Sequence, residues 1–290
     1  MATVAQWMAG ARVRTLPNSV SPVLVGAGAA VALGGFVWWQ ALLALLVALA
    51  FQVGVNYAND YSDGIRGTDA ERVGPLRLVA SGLVPAEMVR TAAFACFGIA
   101  CAAGFALVVT SRQWWLLAVG VISLLGAWFY TGGKKPYGYI GLGEVAVFFF
   151  FGPIPVLGTM YVQTGQVTWL GVVASLALGS FSAAVMAANN LRDRPTDAES
   201  GKRTLAVRLG DKGARYLYST LALAPFVVTL GLSIVSPWML LGLLAAATAI
   251  PSVHKVLTGA VGPALIPALK DTALAMLIWA VATTVAAVLA

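Results

Sequence analysis

Nine apolar runs decide what this chain can become. They fall at about residues 17–34, 38–58, 88–110, 113–130, 143–162, 167–188, 214–235, 237–257 and 270–289, close to the roughly 17 to 25 residues an α-helix needs to cross a hydrocarbon core. A backbone in lipid must satisfy its polar groups within its own segment, so runs of this length fold as helices. The chain is 60% hydrophobic and only 10% charged, against about a quarter charged in soluble domains, which excludes a soluble fold. The expected architecture is an all-α membrane protein. One domain over residues 1–290 places nine transmembrane helices around a central cavity, with cap loops on the cytoplasmic side.

The formal net charge of +7 would point to nucleic acid in a soluble chain, but its placement points to the lipid bilayer instead. With nine crossings, the N-terminus and the loops after the second, fourth, sixth and eighth runs share one side, and they and the run ends beside them hold every Lys and Arg except Arg112. The positive-inside rule makes that side the cytoplasm, with the N-terminus there and the protein multi-pass in the cell membrane. No cleavable signal peptide is expected, since the first run follows Arg12 and Arg14 and is long enough to span. Cys96 and Cys101 sit in one run, five residues apart, and read as buried, inert thiols. Residues 1–16 read as a short interfacial helix. Pro85-Ala-Glu87 reads as a first helical turn, Asp211 as an N-cap, and Ser236-Pro237 as a capped helix start.

Two polar stretches stand out where apolar runs end. The first is Asn56-Tyr-Ala-Asn59-Asp60-Tyr-Ser-Asp63-Gly-Ile-Arg-Gly-Thr-Asp69 and the second Asn189-Asn190-Leu-Arg-Asp193-Arg-Pro-Thr-Asp197. Helical spacing puts Asn56 with Asp60, Asn59 with Asp63, and Asn190 with Asp193 on shared faces, so two acidic helix ends on one side of the membrane suggest one metal site. Carboxylates without a histidine cluster suit Mg²⁺, which takes one or two carboxylates together with phosphate oxygens. His254 is the single histidine, which argues against a histidine zinc site or a Ser-His-Asp triad. The loops at 61–87 and 191–213 carry most of the charge, including Arg72, Lys202 and Arg203; Lys134 and Lys135 lie on the same side. These are the cations a diphosphate needs beyond its metal. A metal, a diphosphate and an apolar cavity together describe a lipid diphosphate substrate, whose cationic intermediate Tyr130 or neighbouring aromatic faces could stabilise. Thr-Asp-Ala-Glu recurs at 68–71 and 196–199, which suggests four-helix halves at about 17–135 and 140–258 plus a ninth helix.

Asn59-Asp60-Tyr-Ser-Asp63 with Asp69, Asp193-Arg-Pro-Thr-Asp197 and the nine-run layout resemble the UbiA-type intramembrane aromatic prenyltransferases. Arg14-Thr-Leu-Pro17, Gly74-Pro-Leu-Arg77, Tyr130-Thr-Gly-Gly, Tyr137-Gly-Tyr-Ile-Gly-Leu-Gly-Glu144 and the long segment from Asn190 through Lys202-Arg203 look like the branch that prenylates 1,4-dihydroxy-2-naphthoate in menaquinone synthesis. The resemblance implies a polyprenyl diphosphate donor, that naphthoate as acceptor, and Mg²⁺. It implies Asn59, Asp60, Asp63, Asp69, Asp193 and Asp197 around the metal, and Asp60, Asp63, Asp193, Asp197 and Lys202 in catalysis. Arg72, Lys134, Lys135, Lys202 and Arg203 would meet the diphosphate, while Asn56, Asn59, Tyr130, Tyr137 and Asn190 would line the substrate. The family's usual Asn-x-x-x-Asp-x-x-x-Asp pattern maps onto Asn59 and Asp63 but meets Gly67 at its third position, so Asp69 is the substitute and Asn56 with Asp60 an alternative register. Other readings are an acceptor such as 4-hydroxybenzoate, or a transporter. A transporter would concentrate its polar groups at mid-membrane, whereas these gather at the rim. A CDP-alcohol phosphotransferase fails because the later Asp pair lies more than a hundred residues away.

Overall fold

The computed structural model describes residues 2–67 and 76–290, and the regular elements among those residues are all helices. The chain opens with α1 (Val4–Gly10), started by a capping box in which Thr3 and Gln6 exchange backbone-to-side-chain hydrogen bonds. A 3₁₀ turn at Val13–Thr15 leads into α2 (Pro17–Ala32), whose axis is bent by 51° from the preceding segment. The Tyr57 hydroxyl donates to the Trp7 carbonyl at 3.0 Å, and the Asn56 amide donates to the Ala11 carbonyl at 2.8 Å. The N-terminal helix is therefore docked onto the third helix.

The spans follow as α3 (Trp38–Arg66), α4 (Ala86–Ser111), α5 (Leu116–Phe129), α6 (Gly143–Phe151), α7 (Pro153–Thr164), α8 (Trp169–Glu199), α9 (Leu205–Ser233), α10 (Ala246–Leu257) and α11 (Ile266–Leu289). All nine apolar runs are helical. Seven helical segments are long and apolar enough to span alone, and α2 joins them when taken with its bent lead-in. The 14-residue α5 is the short one. Residues 143–164 form one crossing broken at Gly152, where Pro153 removes a donor and restarts the helix. There α6–α7 passes so close to α8 that a Cβ on Gly152 would lie 2.6 Å from the Gly179 Cα.

α8 is the central helix. It packs against α9, α6, α11, α7 and α2, and its most apolar window is the most buried of the spans. Its sequence explains this: Ala174, Ser175, Ala177, Gly179, Ser180, Ala183, Ala184, Ala187 and Ala188 are all buried, and small residues let helix backbones approach closely in a membrane. Phe181 on α8 and Met276 and Trp279 on α11 fill one core, with the Trp279 indole donating to Thr229 on α9 at 2.7 Å. Tyr218 of α9 anchors a second core and shares a 2.7 Å hydrogen bond with Thr272 of α11.

Several local readings change. The polar stretches belong to helices rather than to loops: α3 continues through Asp63 to Arg66 and is capped by Gly67 at φ +71°, and α8 runs on to Glu199 with Pro195 inside it. Helix α4 does begin behind Pro85. Helix α9 begins after Thr204, whose hydroxyl accepts from the Val207 N–H, and it kinks at Gly210 immediately before Asp211. Ser236 opens a 3₁₀ segment, Pro237–Ala245, without a side-chain cap bond. Cys96 is only half-buried and Cys101 is exposed, against the buried thiols expected: they lie on different faces of α4, Cys96 against Gly54 of α3 and Cys101 on the cavity.

Candidate active site

The C-terminal ends of α3 and α8 meet at one end of the bundle, and Lys202 is where they meet. Its ammonium lies 3.8 Å from Asp63 and 3.9 Å from Asp197 and 4.7 Å from the centre of the Tyr139 ring. A carboxylate from each acidic stretch thus shares a single cation. The convergence expected from the sequence is present for Asp63 and Asp197. Asp63 is buried, accepts a short hydrogen bond from the Tyr139 hydroxyl, and has the Arg77 guanidinium at 3.6 Å. On α8, Asp193 receives two hydrogen bonds from Arg192, at 2.6 and 2.7 Å, and Arg192 also donates to Asn189 at 2.9 Å.

Asp60 is placed differently from the metal ligand expected. Its side chain is fully buried, and its two carboxylate oxygens accept the backbone N–H groups of Leu78 and Val79 at 2.7 and 3.1 Å. A carboxylate satisfied in this way holds the segment entering α4 against α3. Asn59 accepts from the Thr131 hydroxyl at 2.8 Å, while Arg66 donates to the carbonyls of Thr131 and Gly133. The Tyr130-Thr-Gly-Gly turn is thereby tied to the end of α3, and Tyr139 is delivered to Asp63 by the short helix Tyr137–Ile140 that follows. Asn190 donates to Glu144 at 2.9 Å; Glu144, in the first turn of α6, is buried. Lys134, Lys135 and Arg203 are exposed at this end. Asp69 and Arg72 lie outside the described residues.

Beneath the carboxylates a cavity of about 580 Å³ runs between α2, α3, α4, α5, α6, α7 and α8. Its walls are largely apolar, with Val47, Phe51, Val55, Leu107 and Phe150 among them, and its upper part is lined by Asn56, Asn59, Tyr130, Tyr137 and Asn189. Tyr130 and Tyr137 meet edge to face at 5.5 Å, and the Tyr137 hydroxyl donates to the Gly126 carbonyl at 2.6 Å. Burial pushes the Tyr137 phenol up to about 12, so it stays protonated at neutral pH. Trp128 is elsewhere, against Phe94 and Tyr61.

Sequence reasoning missed Tyr139, Arg12, Asn18, Ser19 and Gln52 as residues of this region. Arg77 belongs to the charged 61–87 stretch expected beside the carboxylates, but nothing in its spacing, or in that of Tyr139, marked it as facing Asp63. Arg12 is the cation that lines the cavity among the described residues, carried there by the bend between α1 and α2.

The site is suited to a hard divalent cation in its donor chemistry. Asp63 and Asp197 already hold one positive charge between two helices, and all nearby donors are oxygens. Among the described residues no group of three or more acidic or His/Cys side chains is close enough to hold a metal alone. Phosphate oxygens of a substrate would have to complete such a shell, as is usual for Mg²⁺.

The helical bundle sets carboxylates of two helices above an apolar cavity, and the chain belongs to the UbiA prenyltransferase family, whose model matches residues 19–260. It is 55% identical to 1,4-dihydroxy-2-naphthoate octaprenyltransferase of Mycobacterium tuberculosis, over 97% of this chain and 96% of that one. With the Escherichia coli protein of the same name it shares 36% identity over 76% of this chain and 74% of that one. The fold is also that of a UbiA homolog from Archaeoglobus fulgidus solved bound to DMAPP and Mg²⁺, with a TM-score of 0.67 at 14% identity, covering 98% of this chain and 99% of that one.

Proposed function

We propose that this chain transfers a polyprenyl group from polyprenyl diphosphate to 1,4-dihydroxy-2-naphthoate, with loss of CO₂ and diphosphate, giving demethylmenaquinol in menaquinone biosynthesis. The observation that carries this reading is the near full-length 55% identity to a relative named for that reaction. The geometry supports its donor half: a diphosphate at the rim would meet Asp63, Asp197 and Lys202, while its chain lies in the apolar cavity. Asp63 and Asp197, with Asn59, Asp69 and Asp193 as further candidates, would hold Mg²⁺. When bound, that ion supplies neutralising charge to the leaving diphosphate.

The chain's own residues then have defined tasks. Lys202, held between two carboxylates, presents a preorganised cation to the leaving oxygens as the allylic carbon–oxygen bond breaks. Arg77 stands beside it, and the exposed Arg203, Lys134 and Lys135, with Arg72, add positive potential at the mouth. The faces of Tyr130 and Tyr137 line the route of the allylic cation, where ring quadrupoles favour positive charge. Asp60 is a positioning residue: it fixes the segment that brings Arg77 to Asp63.

In attack at the carboxyl-bearing carbon, the new bond forms to the ring and aromaticity returns when the carboxylate leaves as CO₂. Attack by a hydroxybenzoate-type route would lose only a proton. With carboxyl-labelled 1,4-dihydroxy-2-naphthoate, a polyprenyl diphosphate and Mg²⁺, labelled CO₂ should appear in step with prenylated product. Prenylation of 4-hydroxybenzoate with no turnover of the naphthoate would overturn the acceptor assignment.

The cytoplasmic orientation of this rim and of the N-terminus, in the cell membrane, follows from the Lys and Arg bias. Cysteines introduced at 66, 134 and 203 should react only with reagents that reach the cytoplasm, and one at 165 only from outside. Labelling of 66 and 203 from opposite faces would refute this topology.

A further inference from the structure

Lys202 is the cation shared by the two acidic helices, yet neither carboxylate fixes its direction. The ammonium is 3.8 Å from Asp63 and 3.9 Å from Asp197, beyond the about 2.8 Å of a charge-assisted hydrogen bond. A lysine ammonium is a point charge on a flexible four-carbon stem, so attraction at that range keeps it in the neighbourhood and leaves its aim open. The group that supplies the aim is the half-buried Tyr139.

Tyr139 holds three partners at once, each through a different part of the residue. Its hydroxyl donates to Asp63 Oδ1, the same oxygen that Lys202 approaches, while Arg77 faces Oδ2. Its ring carries the Lys202 ammonium 4.7 Å from the centroid, inside the about 6 Å over which a cation feels the ring quadrupole. The Arg66 guanidinium lies 5.6 Å from the same centroid, but it is already committed to the carbonyls of Thr131 and Gly133. The Tyr139 backbone carbonyl accepts the Arg203 N–H at 2.7 Å, and the Lys202 N–H donates to the Asp197 carbonyl at 2.8 Å. Lys202 is therefore pinned to the end of α8 on one side and, through the next residue, to Tyr139 on the other. The turn that carries Tyr139 is itself docked. The Gly138 N–H donates to the Tyr130 carbonyl at 3.0 Å, and Gly141, at φ +85°, passes so close to the 203–208 segment that a Cβ there would lie 3.2 Å from the Arg203 carbonyl oxygen.

We propose that Tyr139 is a positioning residue of the diphosphate site: its hydroxyl orients Asp63 from α3, and its ring face aims the Lys202 ammonium at the leaving diphosphate. The inference rests on the donor site of the function proposed above and adds a residue to it. The two halves of the side chain have separable tasks. A ring that merely fills space is indifferent to the charge on residue 202, whereas a ring that holds an ammonium through its quadrupole loses its effect when that charge is removed.

The experiment uses Tyr139→Phe and Tyr139→Leu, each made in wild-type protein and in Lys202→Met. Binding of inorganic diphosphate with Mg²⁺ is measured by calorimetry, alongside steady-state prenyl transfer normalised to folded protein. Tyr139→Phe keeps the ring and loses the hydroxyl, and should weaken diphosphate binding about tenfold. Tyr139→Leu loses both and should weaken it about fivefold more. Diphosphate KM should rise in parallel, with acceptor KM unchanged in both single variants. In the Lys202→Met background the step from Phe to Leu should cost nothing, because no ammonium remains for the ring to hold. Wild-type diphosphate affinity in Tyr139→Leu, or an equal loss from Phe to Leu with and without Lys202, would overturn the positioning role. Wild-type protein that binds diphosphate with this coupling between Tyr139 and Lys202, yet releases no CO₂ from the naphthoate, would uphold the role of Tyr139 and refute the proposed reaction.

Discussion

Replacing Asp63 with Asn should lower prenyl transfer by about a hundredfold to a thousandfold, the usual loss when one preorganised electrostatic group is removed from a transition state. The substitution keeps the volume and can still accept from Tyr139, so the protein should remain folded in the membrane. What disappears is the negative charge 3.8 Å from Lys202 and 3.6 Å from Arg77. On the function proposed above, a divalent ion would lose a ligand from α3, and the two cations would lose the group that aims them at the diphosphate. Steady-state turnover in purified membranes, normalised to folded protein, measures the effect. Activity within a fewfold of wild type would show that Asp63 is only a structural partner of Tyr139.

Asp60→Ala should fail in another way. It would strip the acceptors from the N–H groups of Leu78 and Val79, the first of them fully buried, at a cost of about 2 to 5 kcal/mol. That is a large part of the stability of an ordinary domain, so little folded protein should accumulate and its melting midpoint should fall. The folded fraction should still turn over, with diphosphate KM raised as the segment carrying Arg77 loosens. A variant of normal stability and no activity would instead return Asp60 to the metal shell. The two variants would thus tell apart two carboxylates three residues apart on one helix, one proposed as a ligand and one as a brace.

That separation shows where sequence reasoning stopped. Apolar run length alone located the helices, because lipid leaves the backbone no alternative to internal hydrogen bonding, and even the kink at Gly210 fell beside the expected cap at Asp211. The meeting of Asp63 and Asp197 was legible because both close apolar runs on the positively charged side. The role of Asp60 was not, since its partners are backbone N–H groups 18 and 19 residues away and no side-chain pattern encodes them. Tyr139 was equally hidden: its hydroxyl reaches Asp63 only because Asn59, Thr131 and Arg66 fix the intervening turn. Asn18, Ser19 and Gln52 look like ordinary interruptions of apolar runs until the cavity is seen between them. The break at Gly152 was read as continuous helix because the flanking run is apolar throughout and Pro153 is permitted in a first turn.

The central claim is that α3 and α8 each give one carboxylate to a single diphosphate site, and a double-mutant cycle on Asp63 and Asp197 tests it most directly. The kcat/KM for polyprenyl diphosphate is measured for wild type, Asp63→Asn, Asp197→Asn and the double variant at saturating Mg²⁺. Groups that act as one unit are strongly non-additive, so the double variant should be little worse than the more damaged single variant. Losses that multiply, so that the two substitutions act independently, would contradict the shared site.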